Sequence, residues 1–269
     1  MKLTNLKYYT GLLLIILLAT SCRKVIQLDL GNHTGELVIE ANFAYENGTQ
    51  VVKLSRNVPF TSTNNYPAVT GATVTMDNHH GRILQFKEST PGYYSIDSIG
   101  GTLGRTYTMN VTTADGKTYT ASSTMPQQKV PLDSISSKTS IFDSKKGKKT
   151  ITIYFSDPPS VKNQYRFVMY VNNVQVKTVF AFDDEFIDGK YVNLDLEQND
   201  IDIYPRDTVK VQMQCIDLPV YTYWFTLAQQ QASNPGGAIA PANPPTNFKP
   251  TTLGYFSAHT SQTITLVVK

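Results

Sequence analysis

The sequence predicts an all-β protein of two antiparallel β-sandwich domains, with one short helix in the second domain. Apolar and polar residues alternate with period two along nearly all of the chain after residue 22, the pattern of strands that are buried on one face. Turn signals such as Asn47-Gly48 and Asp115-Gly116 separate these runs at short intervals, as in sandwich domains. One segment, near residue 221, replaces the alternation with helical spacing.

The N-terminal segment, residues 1–21, is predicted to be a lipoprotein signal peptide that is removed before Cys22. Lys2 and Lys7 give it a positive start, and Gly11–Ala19 form an apolar run that is too short to span a bilayer comfortably. A cysteine placed directly after small residues accepts a thioether-linked diacylglycerol, and each buried methylene of the acyl chains contributes about 0.8 kcal/mol of membrane affinity. We therefore expect lipidation of Cys22 and labelling by palmitate. The alternative is an ordinary secretory signal in which Cys22 is incidental.

The net charge and the number of cysteines limit the binding partners and the disulfide bonds that we expect. The chain has 24 basic and 21 acidic side chains, and removal of the two signal-peptide lysines leaves a net charge near +1. Such a balance provides no long-range field for nucleic acid, so we expect no nucleic-acid partner. With Cys22 acylated, Cys215 has no disulfide partner. It alternates with apolar residues in VKVQMQCI and is predicted to be a core residue.

The strands of the first domain are predicted from runs such as ELVIEANF, GATVTMD and RTYTMNVTT. In ELVIEANF one face carries only apolar residues, namely Leu37, Ile39, Ala41 and Phe43. The segment MPQQKVPLDSI then interrupts the pattern with Pro126 and Pro131, which disfavour strand pairing. We therefore predict a first domain over residues 22–131 and a second over 132–269.

In the second domain, KTITIYF and QYRFVMYVN again alternate. The segment PVYTYWFTLAQQQ lacks turn residues and has aromatic residues at helical spacing, which predicts a helix from Tyr221 to Ala232. Two interpretations of its Trp224 stay open: the indole fastens the helix to a sheet, or it contacts a ligand together with Tyr223. The proline-rich segment 234–250 is predicted to be an irregular loop over the second domain.

The most concentrated acidic segment is AFDDEFIDGK, which holds Asp183, Asp184, Glu185 and Asp188. Carboxylates this close together in a loop suit calcium, which accepts irregular cages of oxygen ligands. An exposed hairpin tip that is solvated by water is the alternative interpretation.

The sequence contains none of the short motifs that would predict catalysis. HExxH, GxSxG and a glycine-rich phosphate loop are missing, and the two cysteines cannot build a cysteine zinc site. We therefore expect no enzyme and no cofactor, apart from the covalent lipid and the calcium alternative.

Several segments in order, VIQLDL, ELVIEANF, PAVTGATVTMDN, GRTYTMNVTTADGKTYTASSTMP, AFDDEFIDGK, YTYWFTL and LGYFSAH, resemble the Bacteroidota lipoprotein family catalogued as domain of unknown function 4249 (DUF4249). The resemblance implies a first domain that is transthyretin-like, carboxypeptidase-regulatory-like or Ig-like. It also implies an envelope lipoprotein of the kind that is often encoded near TonB-dependent outer-membrane receptors.

The expected function is therefore that of a non-catalytic, lipid-anchored outer-membrane protein, accessory to a TonB-dependent transporter or a related complex of the cell envelope. Two alternatives remain: a surface lipoprotein that binds glycan or another ligand, and a structural or assembly factor of the envelope. Arg23 and Lys24 stand where surface-exposed lipoproteins of that phylum often carry acidic residues. The sequence thus leaves open whether the protein faces the periplasm or the cell surface.

Overall fold

The computed structural model describes residues 34–59, 62, 65–140, 147–231 and 243–269. The predicted signal peptide 1–21 and the lipidation site Cys22 lie outside the described residues, so both stay predictions.

Strands make up nearly all of the described regular structure. The strands of the N-terminal half are β1 (Leu37–Ala44), β2 (Gly48–Arg56), β3 (Thr73–Asp77), β4 (Ile83–Thr90), β5 (Tyr93–Ile99), β6 (Thr106–Thr112) and β7 (Thr118–Thr124). The remaining elements are β8 (Leu132–Thr139), β9 (Lys149–Ser156), β10 (Gln164–Val171), β11 (Val174–Gln175), β12 (Phe180–Asp183), β13 (Tyr191–Leu196), β14 (Thr208–Ile216), α1 (Leu218–Gln231), β15 (Phe248–Lys249) and β16 (Leu253–Val267). The predicted all-β class is confirmed, with one helix among the described residues.

Burial follows the alternation in the sequence. In β1, every second residue from Leu37 to Phe43 is buried and the residues between them are half-buried. In β10, the four residues Tyr165, Phe167, Met169 and Val171 point into the core, while Arg166 and Tyr170 lie on the opposite face, half-buried. The strand period of two therefore assigned the faces of these strands correctly.

Two sheets contain the described strands. The larger follows the hydrogen-bonded order β11-β10-β14-β16-β1-β2-β5-β4-β3-β6-β7-β15, with β12 paired to β10, and the smaller is β13-β9-β8. Neighbouring strands are antiparallel, apart from the parallel pair β1 and β16. The sequence did not predict this parallel pair, which is possible because strands so far apart in sequence need no hairpin to join them.

The long strand β16 changes partner halfway along its length. It pairs with β1 up to His259 and with β14 from Thr260 onward. Its start lies very close to β1. Gly254 has φ of +97°, and a Cβ at this position would overlap the carbonyl oxygen of Ile39. A glycine is needed there, because only glycine combines positive φ with so close an approach of two backbones.

Two large hydrophobic clusters share β16. The first contains buried residues of β1–β7 together with Phe248, Phe256 and Ala258. The second contains buried residues from Val130 to Cys215 and also Val268. Along the chain, the change of cluster before β15 falls between Met125 and Val130, and Phe248, Phe256 and Ala258 then return to the first cluster. The domain boundary itself stays a prediction.

Helix α1 begins three residues before the predicted start. The carboxylate of Asp217 accepts a hydrogen bond from the backbone N–H of Val220 at 3.3 Å, so Asp217 caps the helix. Pro219 falls in the first turn, where its missing N–H costs no helical hydrogen bond. Within the described ranges, no helix is both long and apolar enough to cross a bilayer.

The described part of the proline-rich segment, residues 243–250, does not lie over the second domain as expected. Phe248 is buried in the first cluster, and β15 pairs with β7. Asn247 reinforces this position, because its Nδ2 donates to the carbonyl oxygens of Ser122 and Phe256 at 3.1 and 2.7 Å. Burial of the apolar Phe248 ring stabilises this position, although the backbone of the segment is irregular.

Candidate functional site

The acidic segment forms the turn between β12 and β13. Asp184 accepts a hydrogen bond from the backbone N–H of Asn163 at 2.6 Å, and Asp188 accepts one from that of Ser160 at 2.7 Å. Backbone N–H groups of Ile187 and Asp188 also bond to the Asp184 carbonyl. The segment is therefore fixed against the loop between β9 and β10, rather than being a free hairpin tip.

Asp157, at the end of β9, completes a cluster that we call the aspartate triad. One carboxylate oxygen each of Asp157, Asp184 and Asp188 lies within 4.8 Å of the others. Asp157 accepts hydrogen bonds from the Tyr165 hydroxyl and from the N–H of Gly189. Burial raises the pKa of the Asp157 carboxyl, as it also raises the pKa of the Tyr165 hydroxyl. Asp157 was not predicted as a site residue, because it lies far from AFDDEFIDGK along the chain.

The other two predicted calcium ligands lie apart from the triad. Asp183 accepts a hydrogen bond from the Tyr221 hydroxyl at 3.1 Å, and Glu185 is exposed, with its N–H donating to Asp183. Calcium takes six to eight oxygen ligands, whereas the triad carboxylates already accept hydrogen bonds from neighbouring N–H and O–H groups. Calcium binding therefore stays a prediction, and its ligand set would be the triad rather than the four residues of the segment.

Beside this turn lies an apolar depression of about 500 Å³, which we call the aromatic cleft. Its walls come from β9, β12, β13, α1 and the acidic turn, and include Ala181, Phe182, Phe186, Tyr191, Leu194, Tyr221 and Phe225. Phe186 is 79% exposed and Tyr191 62% exposed. Large aromatic side chains in contact with water at a concave apolar surface are typical of contact sites. Asp183 and Lys190 are the charged residues of its lining.

The opposite side of α1 packs against the polar face of the larger sheet. Trp224 makes edge contacts with Tyr223 and Tyr255, whose ring centroids lie 5.1 and 5.0 Å from its own. The guanidinium carbon of Arg166 lies 3.6 Å from the centroid of the indole ring. Trp224 thus fastens the helix to the sheet, one of its two predicted roles, and it also holds an arginine by a cation–π contact.

Arg166 belongs to a polar groove of about 440 Å³, which we call the arginine groove. Its principal lining residues are Glu40, Asn42, Arg166, Tyr170, Gln212, Gln214, Trp224, Tyr255 and His259. They come from β1, β10, β14, β16 and α1, on the sheet face that points away from the two clusters. Arg166 was not predicted as a site residue, although its position in QYRFVMYV places it on the polar face of a strand.

Electrostatics within the groove are set by burial. Desolvation lowers the pKa of the Arg166 guanidinium, and it raises the pKa values of the Tyr255 and Tyr223 hydroxyls. Burial, together with the charge of Arg166, lowers the pKa of His259 to about 4. His259 is therefore neutral at physiological pH, and Arg166 is the cation of the groove.

The described residues show no constellation of nucleophile and base. Cys215 is buried, as predicted, and burial raises the pKa of its thiol, which makes it a poor nucleophile. The Nδ1 of His259 lies 3.0 Å from the hydroxyl of Ser257, but both side chains are buried. His79, in a surface turn, contacts the hydroxyl of Thr108.

Comparisons with known proteins give a family and weak structural likenesses. A two-domain fibronectin type III segment from chicken tenascin is 12% identical, with a TM-score of 0.21, and the match covers 68% of this chain and 90% of that segment. A bacterial ice-binding adhesin is 15% identical, with a TM-score of 0.20, and the match covers 87% of this chain and 64% of that one. No curated protein matches.

The family comparison is more extensive. The family described as "Domain of unknown function (DUF4249)" matches residues 23–265. This range includes the aspartate triad, the aromatic cleft and the arginine groove. The chain therefore belongs to the DUF4249 family.

Proposed function

We propose that this protein is a non-catalytic lipoprotein of the outer membrane that acts by contact, as an accessory to a TonB-dependent transporter or a related envelope complex. Acyl chains on Cys22 would hold it at the membrane, and the described domains would meet the partner. The anchor is supported by the order of positive, apolar and small residues before Cys22. The choice of partner is supported by the family resemblance.

The observation that carries the contact role is the aromatic cleft. Phe186 and Tyr191 expose most of their surface beside a concave apolar wall. Exposed aromatic side chains cost solvation free energy, and protein interfaces are enriched in them at their centre. We infer that the partner inserts apolar side chains between these rings.

Copurification from the native membrane in mild detergent tests the proposal. The tagged wild-type protein should recover a barrel protein and should incorporate labelled palmitate, whereas Cys22→Ala should lose the label. Phe186→Ser should weaken the complex by about 2 kcal/mol, or roughly thirtyfold in Kd, because a truncated interface anchor typically costs this much. The matched control is Ile83→Ser, since Ile83 is 70% exposed in the N-terminal half, far from the cleft in sequence; it should leave recovery unchanged.

Two outcomes would contradict the proposal. One is recovery of no barrel protein under conditions that preserve other lipoprotein complexes. The other is equal loss of recovery in Phe186→Ser and Ile83→Ser, which would show that the cleft is not the contact surface.

A ligand-binding surface lipoprotein is the second candidate, and the arginine groove favours it. Trp224 and Tyr223 were its predicted contacts. One face of Trp224 already carries the Arg166 guanidinium, so a ligand would meet the arginine rather than stack on that face of the indole.

A further inference from the structure

Arg166 is a cation whose direct contacts are with neutral groups. Its Nη1 donates to Oε1 of Gln214 at 3.0 Å, and its guanidinium lies on the indole of Trp224. None of the ion pairs in the described chain includes it. Half-buried charges are usually paired, because removal from water is costly without a counter-charge. The Tyr255 hydroxyl is a further hydrogen-bond partner of the guanidinium. A guanidinium carries five N–H donors, so Arg166 still has both charge and donor capacity to spare.

The one acidic residue of the groove lining does not supply this counter-charge. Glu40 pairs instead with Lys53 at 3.0 Å. The groove is thus left with one uncompensated positive charge, surrounded by amides and hydroxyls of residues such as Asn42, Gln212 and Gln214.

The indole N–H gives a second, independent observation. Nε1 of Trp224 is buried and has no hydrogen-bond acceptor in the part of the chain that the structure describes. A buried donor without a partner is rare in folded proteins. Here it belongs to the same side chain that holds Arg166, on the wall of a groove.

We propose that the arginine groove binds a small polar ligand through a carboxylate group that pairs with Arg166. This proposal rests on the second candidate function, for which it names the ligand class, and it does not depend on the accessory role. The planar guanidinium matches a carboxylate with two parallel hydrogen bonds. Trp224 and Gln214 hold the guanidinium in place, so little side-chain freedom is lost on binding.

The surroundings of Arg166 define the ligand class. One cation balances a monoanion, whereas a phosphate carries up to two charges and would leave one unmatched. The amides of Asn42, Gln212 and Gln214 both donate and accept hydrogen bonds, as hydroxyl or peptide groups of a ligand require. A volume of about 440 Å³ accepts a molecule of monosaccharide or dipeptide size. The carboxylate belongs either to an acidic sugar or to a peptide C-terminus.

Trp224 is the only tryptophan of the chain, so its fluorescence reports directly on the site. The probes are two matched pairs, glucuronate with glucose, and acetyl-dialanine with its amide. We expect a saturable change in emission with the acid of one pair and none with its neutral partner. The pair that responds identifies the source of the carboxylate. Inorganic phosphate is the third arm, and tighter binding of phosphate than of both acids would overturn the carboxylate assignment.

Variants test the role of Arg166. Arg166→Gln should weaken binding of the responding acid at least tenfold, whereas Arg82→Gln, which removes an exposed arginine of a surface turn, should not change it. Equal binding by Arg166→Gln and wild type would overturn the proposal.

Two further measurements keep the test decisive if Arg166→Gln does not fold. Arg166→Lys retains the charge without the planar fork and should bind more weakly than wild type. The acid should also raise the midpoint of thermal unfolding of the wild-type protein, since a ligand that binds only the folded state stabilises it. No response of wild-type fluorescence or midpoint to either acid at millimolar concentration would overturn the proposal. That result would leave the copurification test unaffected.

Discussion

His259 lines the arginine groove with only 4% of its surface exposed. Two causes act in the same direction on its pKa. Burial disfavours the imidazolium, and the nearby charge of Arg166 repels it, so that the pKa falls from 6.5 to about 4. In the unfolded chain the imidazole recovers its ordinary pKa, and the unfolded state therefore binds more protons between these two values.

This difference predicts how stability depends on pH. The contribution of neutral His259 is fully present above about pH 6.5 and is lost as the pH falls toward the folded pKa of about 4. Between pH 7 and pH 4.5 the loss amounts to about 2 kcal/mol. We expect His259→Gln to remove this component, as measured by urea unfolding at the two pH values. His80→Gln, at an exposed histidine, should retain the wild-type pH dependence, and a loss as large as that in His259→Gln would contradict the assignment.

Single residues also show which features the sequence predicts and which it does not. Cys215 was predicted to be buried, because the alternation of its strand fixes the face on which it lies. The same alternation places Arg166 on the outer face of β10. Whether Arg166 forms an ion pair depends instead on which acidic residues the other strands bring near it. Asp157 joins Asp184 and Asp188 only through the packing of β9 against the acidic turn. Contacts between residues that lie far apart in the sequence depend on the fold, and no local sequence pattern predicts them.

Among the elements, α1 shows how one side chain joins a helix to a sheet. One carboxylate oxygen of Asp217 caps the helix, while the other accepts hydrogen bonds from the Ser123 hydroxyl at 2.9 Å and the Thr124 N–H at 2.8 Å. Both donors belong to β7, in the N-terminal half. The helix start is thus tied to the last strand of the N-terminal half.

Removal of this carboxylate should destabilise the protein. Asp217→Ala deletes the cap and leaves the two β7 donors without their acceptor, which we expect to cost about 2 kcal/mol in the free energy of unfolding. Thr222→Ala is the control, because it removes an exposed hydroxyl that bonds back to the Leu218 carbonyl within the same helix, and should change stability by less than about 0.5 kcal/mol. Urea unfolding measures both. Equal effects of the two variants would show that neither the cap nor the contact with β7 stabilises the protein measurably.

The bounds of the elements were partly predictable. The helix was found from the spacing of its aromatic residues, but its first turn was missed, because Leu218 and Pro219 do not look helical without the cap of Asp217. The pairing of β1 with β16 was not predicted, since alternation identifies a strand and not its neighbour. The position of Phe248 in the first cluster was missed for the same reason: composition marks 243–250 as irregular without showing which surface it covers.

For the described molecule as a whole, β16 is the element that both hydrophobic clusters need. Phe256 is fully buried in the first cluster, and Val268, just after the strand, is buried in the second. Residues of β16 also make hydrogen bonds to other parts of the chain. Gln262 exchanges two hydrogen bonds with the backbone of Leu132, at 2.9 and 3.1 Å, and Glu46 accepts bonds from Ser261 while pairing with Lys129 at 2.6 Å. Disruption of one cluster should therefore release the strand that completes the other.

This arrangement predicts a single cooperative unfolding transition for a chain of residues 23–269, despite its two clusters. Phe256→Ala should cost about 3–5 kcal/mol and Met213→Ala about 2–5 kcal/mol, because each leaves a cavity in a close-packed core. The first residue belongs to the first cluster and the second to the second. Scanning calorimetry should show one transition that both variants shift to lower temperature, with equal calorimetric and van't Hoff enthalpies. Two transitions, each moved by only one of the variants, would show instead that the halves unfold independently and that β16 does not couple them.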